Sequence, residues 1–105
     1  MGIIVICCYK PKPGKDAELL EVVKTHIPIL RELGLATGRA VQIMKATNGT
    51  IVEVFEWVSE EAIKKAHETP RVHTMWKEFE AVCEYESLCN LDESKHPFSG
   101  FAALN

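Results

Sequence analysis

The chain lacks a glycine-rich phosphate loop, a CxxC pair and any run of histidine, cysteine and carboxylate residues at metal-ligand spacing. Those absences argue against nucleotide cradling, zinc knuckles and dithiol redox chemistry, and no cofactor is expected. Charge of one sign is also missing. A net charge of −3 gives no electrostatic pull toward nucleic acid or an anionic membrane surface. No apolar run approaches the roughly 20 residues that a bilayer-spanning helix needs. The opening MGIIVICCYK has neither a basic n-region nor a small-residue cleavage site, so it reads as a strand and not as a signal peptide. Ile6 stands where a myristoylation signal wants Ser or Thr. There are no internal repeats, low-complexity stretches or linker.

What is present fits one small globular domain. With 105 residues, 47% of them hydrophobic and 26% charged, the chain has room for a single modest core. The four cysteines, Cys7, Cys8, Cys83 and Cys89, fall in apolar, strand-like contexts. Adjacent Cys7 and Cys8 point to opposite faces of a strand, so all four are expected to be free thiols acting as small hydrophobes. A reducing cytoplasm is the default location for such a chain.

The stretch from Glu53 to Val82 organises the rest. Glu53, Phe55 and Trp57 share one face of a strand, and Val52, Val54, Glu56 and Val58 share the other. Ser59 is an expected N-cap, with Glu60 and Glu61 at the positive end of the helix it starts. Thr69-Pro70 marks a second helix start, after which Val72, Met75, Trp76, Phe79 and Val82 recur at helical spacing. Upstream, Ile3 to Tyr9 reads as a central strand buried on both faces, stopped by Lys10-Pro11-Lys12-Pro13-Gly14. Lys15 to Leu33 is helical, with a stripe of Leu20, Val23, Ile27 and Leu30 and a C-cap at Gly34. Pro28 is expected to bend or interrupt that helix. Arg39 to Ala46 and Thr50 to Val58 form a hairpin around a two-residue Asn48-Gly49 turn. Glu84 to Leu91 reads as the last strand.

The resulting order, β-α-β-β-α-β with the second helix split, is the ferredoxin-like α+β arrangement: an antiparallel sheet with helices on one face. The domain spans residues 1–91. The tail, 92–105, carries Phe98, Phe101 and Leu104 and is expected to pack on the domain or on a partner subunit. Both central strands are apolar on both faces, so the face without helices needs a cover. A second copy of the chain, making a homodimer with sheets face to face, is the simplest one.

Trp57-Val58-Ser59-Glu60-Glu61-Ala62, followed by His67, Pro70, Trp76 and Phe79, resembles the antibiotic-biosynthesis-monooxygenase-like group of dimeric α+β barrel proteins. The opening Tyr9-Lys10-Pro11-Lys12-Pro13-Gly14-Lys15 before an acidic helix start is similar too, and the resemblance reaches to about Leu91. It implies a ferredoxin-like fold, a dimer and a cavity between sheet and helices. It implies function more loosely, since that superfamily holds cofactor-free monooxygenases, haem-degrading enzymes, isomerases and stress proteins. Where the haem-degrading branch places a tryptophan and a ligand histidine, this chain has Ala66 and Trp76. Its first-strand asparagine has no counterpart in Ile3 to Tyr9, so haem breakdown is not implied.

The activity this resemblance implies is a cofactor-independent monooxygenase acting on a small aromatic or quinol-type compound. Such an enzyme needs only to bind its substrate, take a proton and stabilise the anion. His67 is the candidate base, on a helix face with Ile63; the alternative is a packing histidine bonded to a backbone carbonyl. Glu53 and Glu56 interrupt apolar strand faces, and an unpaired buried carboxylate is costly, so one of them either looks into a polar cavity or pairs across the sheet. Tyr85 is a candidate hydrogen-bond donor to a ligand. Trp57, Phe55 and Trp76 are candidate walls for an apolar or aromatic ligand, or simply core. His26 sits beside the Pro28 break, either bonded to freed backbone or facing the ligand, whereas His73 and His96 are expected in solvent. The second functional class is a non-catalytic ligand-binding or stress-related homodimer.

Overall fold

The computed structural model describes all 105 residues. In order these are β1 (Ile3–Pro11), α1 (Asp16–Glu32), β2 (Gln42–Lys45), β3 (Ile51–Trp57), α2 (Glu60–Ala66), α3 (Pro70–Val82), β4 (Cys83–Glu86) and β5 (Ala102–Ala103). The strands form one antiparallel sheet in the order β4-β1-β3-β2-β5, and with three helices the chain is an α+β protein. No helix is long and apolar enough to cross a membrane.

Strand periodicity explains the layering. Tyr9 on β1, Ile51, Phe55 and Trp57 on β3 and Ile43 on β2 point to one side. There they meet Leu19, Val23, Ile27 and Leu30 of α1, Ala62 and Ala66 of α2, and Val72, Met75, Phe79 and Val82 of α3 in a single core. The helix ends follow local chemistry. Ser59 Oγ accepts from the Ala62 N–H at 3.1 Å and caps α2. Beyond α1, Gly34 takes φ 74°. Its N–H donates to Arg31 and that of Leu35 to Leu30, the paired bonds of a Schellman ending that turns buried Leu35 back onto the core.

Several expectations need correction. Pro28 does not interrupt α1, which runs through it from Asp16 to Glu32. Pro28 and Lys24 are both exposed, so water can satisfy the carbonyl that lost its donor. The hairpin loop is Thr47–Gly49 and not the two-residue Asn48-Gly49 turn. Gly49 donates to the Ala46 carbonyl, Ala46 donates to that of Thr50, and only Gly49, at φ 93°, has positive φ. The last long strand ends at Glu86, because Leu88–Asn90 forms a short 3-10 turn. Cys89 is therefore exposed on that turn and is not an apolar strand residue; all four cysteines are free.

The residues after the 3-10 turn Leu88–Asn90 do two jobs. Ala102–Ala103 adds β5 to the β2 edge, with Asn105 accepting from the Ile43 N–H at 3.0 Å and donating to the Val41 carbonyl at 2.8 Å. Leu91 meanwhile closes over Cys8, Ala46 and Val52 on the face without helices, with Leu88 and Phe101 beside it. Cover is only partial, since Ile4 and Ile6 remain 55% and 51% exposed. Phe98 is exposed. Because Leu91 is fully buried, Leu91→Ala should cost about 2–5 kcal/mol, read as a lower urea midpoint with an unchanged slope. A loss below about 0.5 kcal/mol would mean that the Leu91 cover contributes nothing to stability.

Candidate functional site

Three polar side chains meet in the apolar layer between sheet and helices. Glu53 sits in the middle of β3 with Cys7 of β1 opposite it on one side and Ile43 of β2 on the other, and it is 0% exposed. Its Oε1 accepts from the Tyr9 hydroxyl at 2.8 Å and lies 2.7 Å from His26 Nδ1. Tyr9 comes from β1 and His26 from the buried side of α1. Oε2 is enclosed and has no partner. Such a group carries a large desolvation cost, which two charge-assisted bonds to one oxygen offset only in part.

The environment fixes the geometry of the triad. The His26 ring stands edge-on to Phe55 and Phe79, with centroids 5.3 and 5.0 Å apart. Tyr9 stacks at 4.8 Å on Phe79. Burial, then the negative field of Glu53, push the Tyr9 hydroxyl well above the ordinary phenol range, so it remains a donor. The same two causes raise the Cys7 thiol to about 11, and burial raises Cys83 to about 11 as well.

Above the triad opens a cavity of about 470 Å³, large enough for a small aromatic molecule. Val5, Cys7, Tyr9, His26, Phe55 and Phe79 line it together with Trp57, Trp76, His67 and Tyr85, and Glu80 and Glu86 also border it. Because Glu53 engages Nδ1, Nε2 is the His26 nitrogen left for a ligand, and it has no protein partner. The sequence candidates thus fall into two groups. His26, Phe55 and Trp57 are buried with Glu53, whereas His67 and Tyr85 are exposed and Trp76 half-buried. The His67 ring lies edge-on to Trp76 at 5.0 Å and makes no hydrogen bond; its backbone carbonyl meets His73 Nε2 at 2.5 Å. Tyr85 is 59% exposed. Burial, then Cys83 and Glu80, raise its hydroxyl to about 12, so it too is a donor at neutral pH.

Glu56 lies on the opposite face, where Arg39 Nε at 3.1 Å and Thr37 Oγ1 at 2.9 Å hold it. Those two hydrogen bonds, Thr37 first, hold its carboxyl below the usual carboxylate range. Tyr9 is the member of the triad that sequence reasoning did not single out. The available signal was the need of Glu53 for a buried donor: Tyr9 and His26 were the groups in apolar patterns able to provide one.

These shifts set an alkaline limit on stability. A thiol or phenol raised in the fold contributes stability that is complete below its unfolded value and is lost as pH climbs toward the folded one. The ordinary thiol value is 9.0 and the folded value of Cys7 and Cys83 about 11. The urea midpoint should therefore hold steady to about pH 8 and drop by about pH 10.5. A Cys7→Ser, Cys83→Ser double variant should lose less over the same window, and an equal drop would exclude the thiols as its source.

Comparison with protein-family models, with curated proteins and with solved structures found no match for this chain.

Proposed function

We propose that this chain is a ferredoxin-like unit of a dimeric α+β barrel and a cofactor-independent, monooxygenase-like enzyme for a small aromatic or quinol-type compound. One observation carries the catalytic reading: a histidine on the wall of an aromatic cavity has one ring nitrogen held 2.7 Å from a fully buried carboxylate and the other without a protein partner. That arrangement selects the Nδ1–H tautomer, leaves Nε2 as the base and stabilises the imidazolium that forms. We assign the base to His26 and not to His67, because His67 is exposed and has no carboxylate to orient its ring.

In this reading Trp57, Phe55 and Trp76 enclose the substrate ring, and Tyr85 and His67 meet its outer end. His26 Nε2 takes a proton from an acidic phenol or ring methylene. The anion gives electrons to dioxygen, and the net change for a methylene substrate is CH₂ + O₂ → C=O + H₂O. Glu53 orients His26, and Tyr9 holds the shared oxygen of Glu53 in place. The strand order β4-β1-β3-β2 supports the ferredoxin-like assignment, and the resemblance around Ser59 supports the family.

Oxygen uptake by metal-free protein with anthrones and hydroquinones tests this. Uptake should need folded protein and fall about 10²–10⁴-fold in His26→Ala, with tryptophan fluorescence still reporting ligand binding. A larger loss in His67→Ala than in His26→Ala would return the base to the rim. The contrary reading, a non-catalytic ligand-binding homodimer, draws on the same burial, since a buried hydrogen-bonded triad can be purely structural. It gains if ligands bind and no oxygen uptake depends on the folded protein.

The exposed Ile4 and Ile6, next to half-buried Val54 on the face without helices, support a homodimer through that face. Light scattering at micromolar concentration should give twice the monomer mass, and Ile4→Glu with Ile6→Glu should give the monomer. A monomer mass for the unaltered chain would remove the dimer.

A further inference from the structure

Glu53, whose Oε2 has no partner, also borders a second opening. On the β2 side of the carboxylate, opposite Tyr9, lies a cleft of about 320 Å³ between α1 and the segment leading into β2. Its walls include Ile27, Pro28, Arg31, Ala40 and Val41, and Glu53 lies at its floor. Glu53 thus stands between two cavities. The partners of Oε1, Tyr9 and His26, line the first, while Oε2 bonds to neither of them. Since Glu53 has no exposed surface, the second cleft is closed at its floor at rest.

The outer wall of this cleft, 37–41, is irregular chain held by side-chain hydrogen bonds involving Arg31, Glu56 and Asn105. Arg31 Nε donates to the Thr37 carbonyl at 2.8 Å and its terminal nitrogen to that of Arg39 at 2.7 Å. Arg31 itself is exposed. The two Arg31 bonds are the latch that ties this wall to α1, and surface hydrogen bonds open readily compared with a packed core.

We propose that the second cleft is a proton passage, through which the buried His26–Glu53 pair exchanges protons with solvent while a ligand fills the first cavity. His26 passes its Nδ1 proton to Oε1, a half-turn of the carboxyl carries it to the β2 side while Oε2 takes over the Tyr9 and His26 contacts, and water admitted past the Arg31 latch accepts it. One proton moves, and no electrons or other atoms are transferred. The catalytic use of this passage rests on the proposed role of His26 as base, but the passage itself is measurable without turnover.

The test is the exchange with water of the hydrogen-bonded His26 ring proton, followed as a low-field NMR signal in the full chain. Ala40→Trp, at an exposed wall position, should slow exchange at least about tenfold by plugging the cleft, and Arg31→Ala should speed it by a similar factor. Saturation with 1-naphthol, checked by tryptophan fluorescence, should leave the rate within about threefold. Exchange that stops when naphthol binds, or that ignores both wall variants, would overturn the passage. Failure of naphthol to bind would count against the proposed function while the two wall variants still decide the passage.

Discussion

Everything in the helix-side layer accommodates one buried carboxylate. A glutamate in the middle of a central strand has no water to turn to, so its neighbours must supply donors, and they do so from two different elements. Tyr9 reaches it across the ladder from β1 and His26 descends from α1. The three groups tie the first strand, the first helix and the third strand together before any ligand is considered. Aromatic rings then fix the orientation of the triad, because Phe79 packs against both Tyr9 and His26. The layer is thus held by hydrophobic burial and aimed by polar contacts, a division of labour usual where chemistry is built into a core.

That division also explains why the cavity is where it is. β4 pairs with β1 only at Cys8–Pro11, leaving the stretch from Ile3 to Cys7 without a neighbour on that side. The aromatic walls gather over this gap, and the polar groups sit at its two ends: the triad inside, Tyr85 and His67 outside.

Much of the fold was legible because periodicity and caps agree. The Ser59 cap, the Pro70 helix start, the Gly34 ending and the 2-residue period of β3 all point to the elements observed. Boundaries that depend on tertiary contacts were not legible. The strand after α3 stops at Glu86 although Leu88 and Cys89 extend its apolar pattern, since Leu91 is drawn over Cys8 and Val52 instead. The C-terminal strand is two alanines long, too short for any period to announce it. In the site, Glu53 was conspicuous as a charge on an apolar face, whereas Tyr9 looked like one more apolar strand residue. Its hydroxyl acquires meaning only from the register that places Cys7 opposite Glu53 and so puts Tyr9 on the same face, two residues along.

The pairing of the first strand has a consequence for how the chain is made. Residues Ile3–Tyr9 pair with Trp57–Ile51, and β4, the other neighbour, begins at Cys83. At about 5–20 residues per second of synthesis, the most apolar strand waits several seconds for its first partner and longer for its second. During that interval Ile4, Ile6, Cys7 and Cys8 present an unpaired apolar edge with two free thiols. Contacts this distant in sequence close slowly, so a strand made before both of its neighbours is among the last to find shelter.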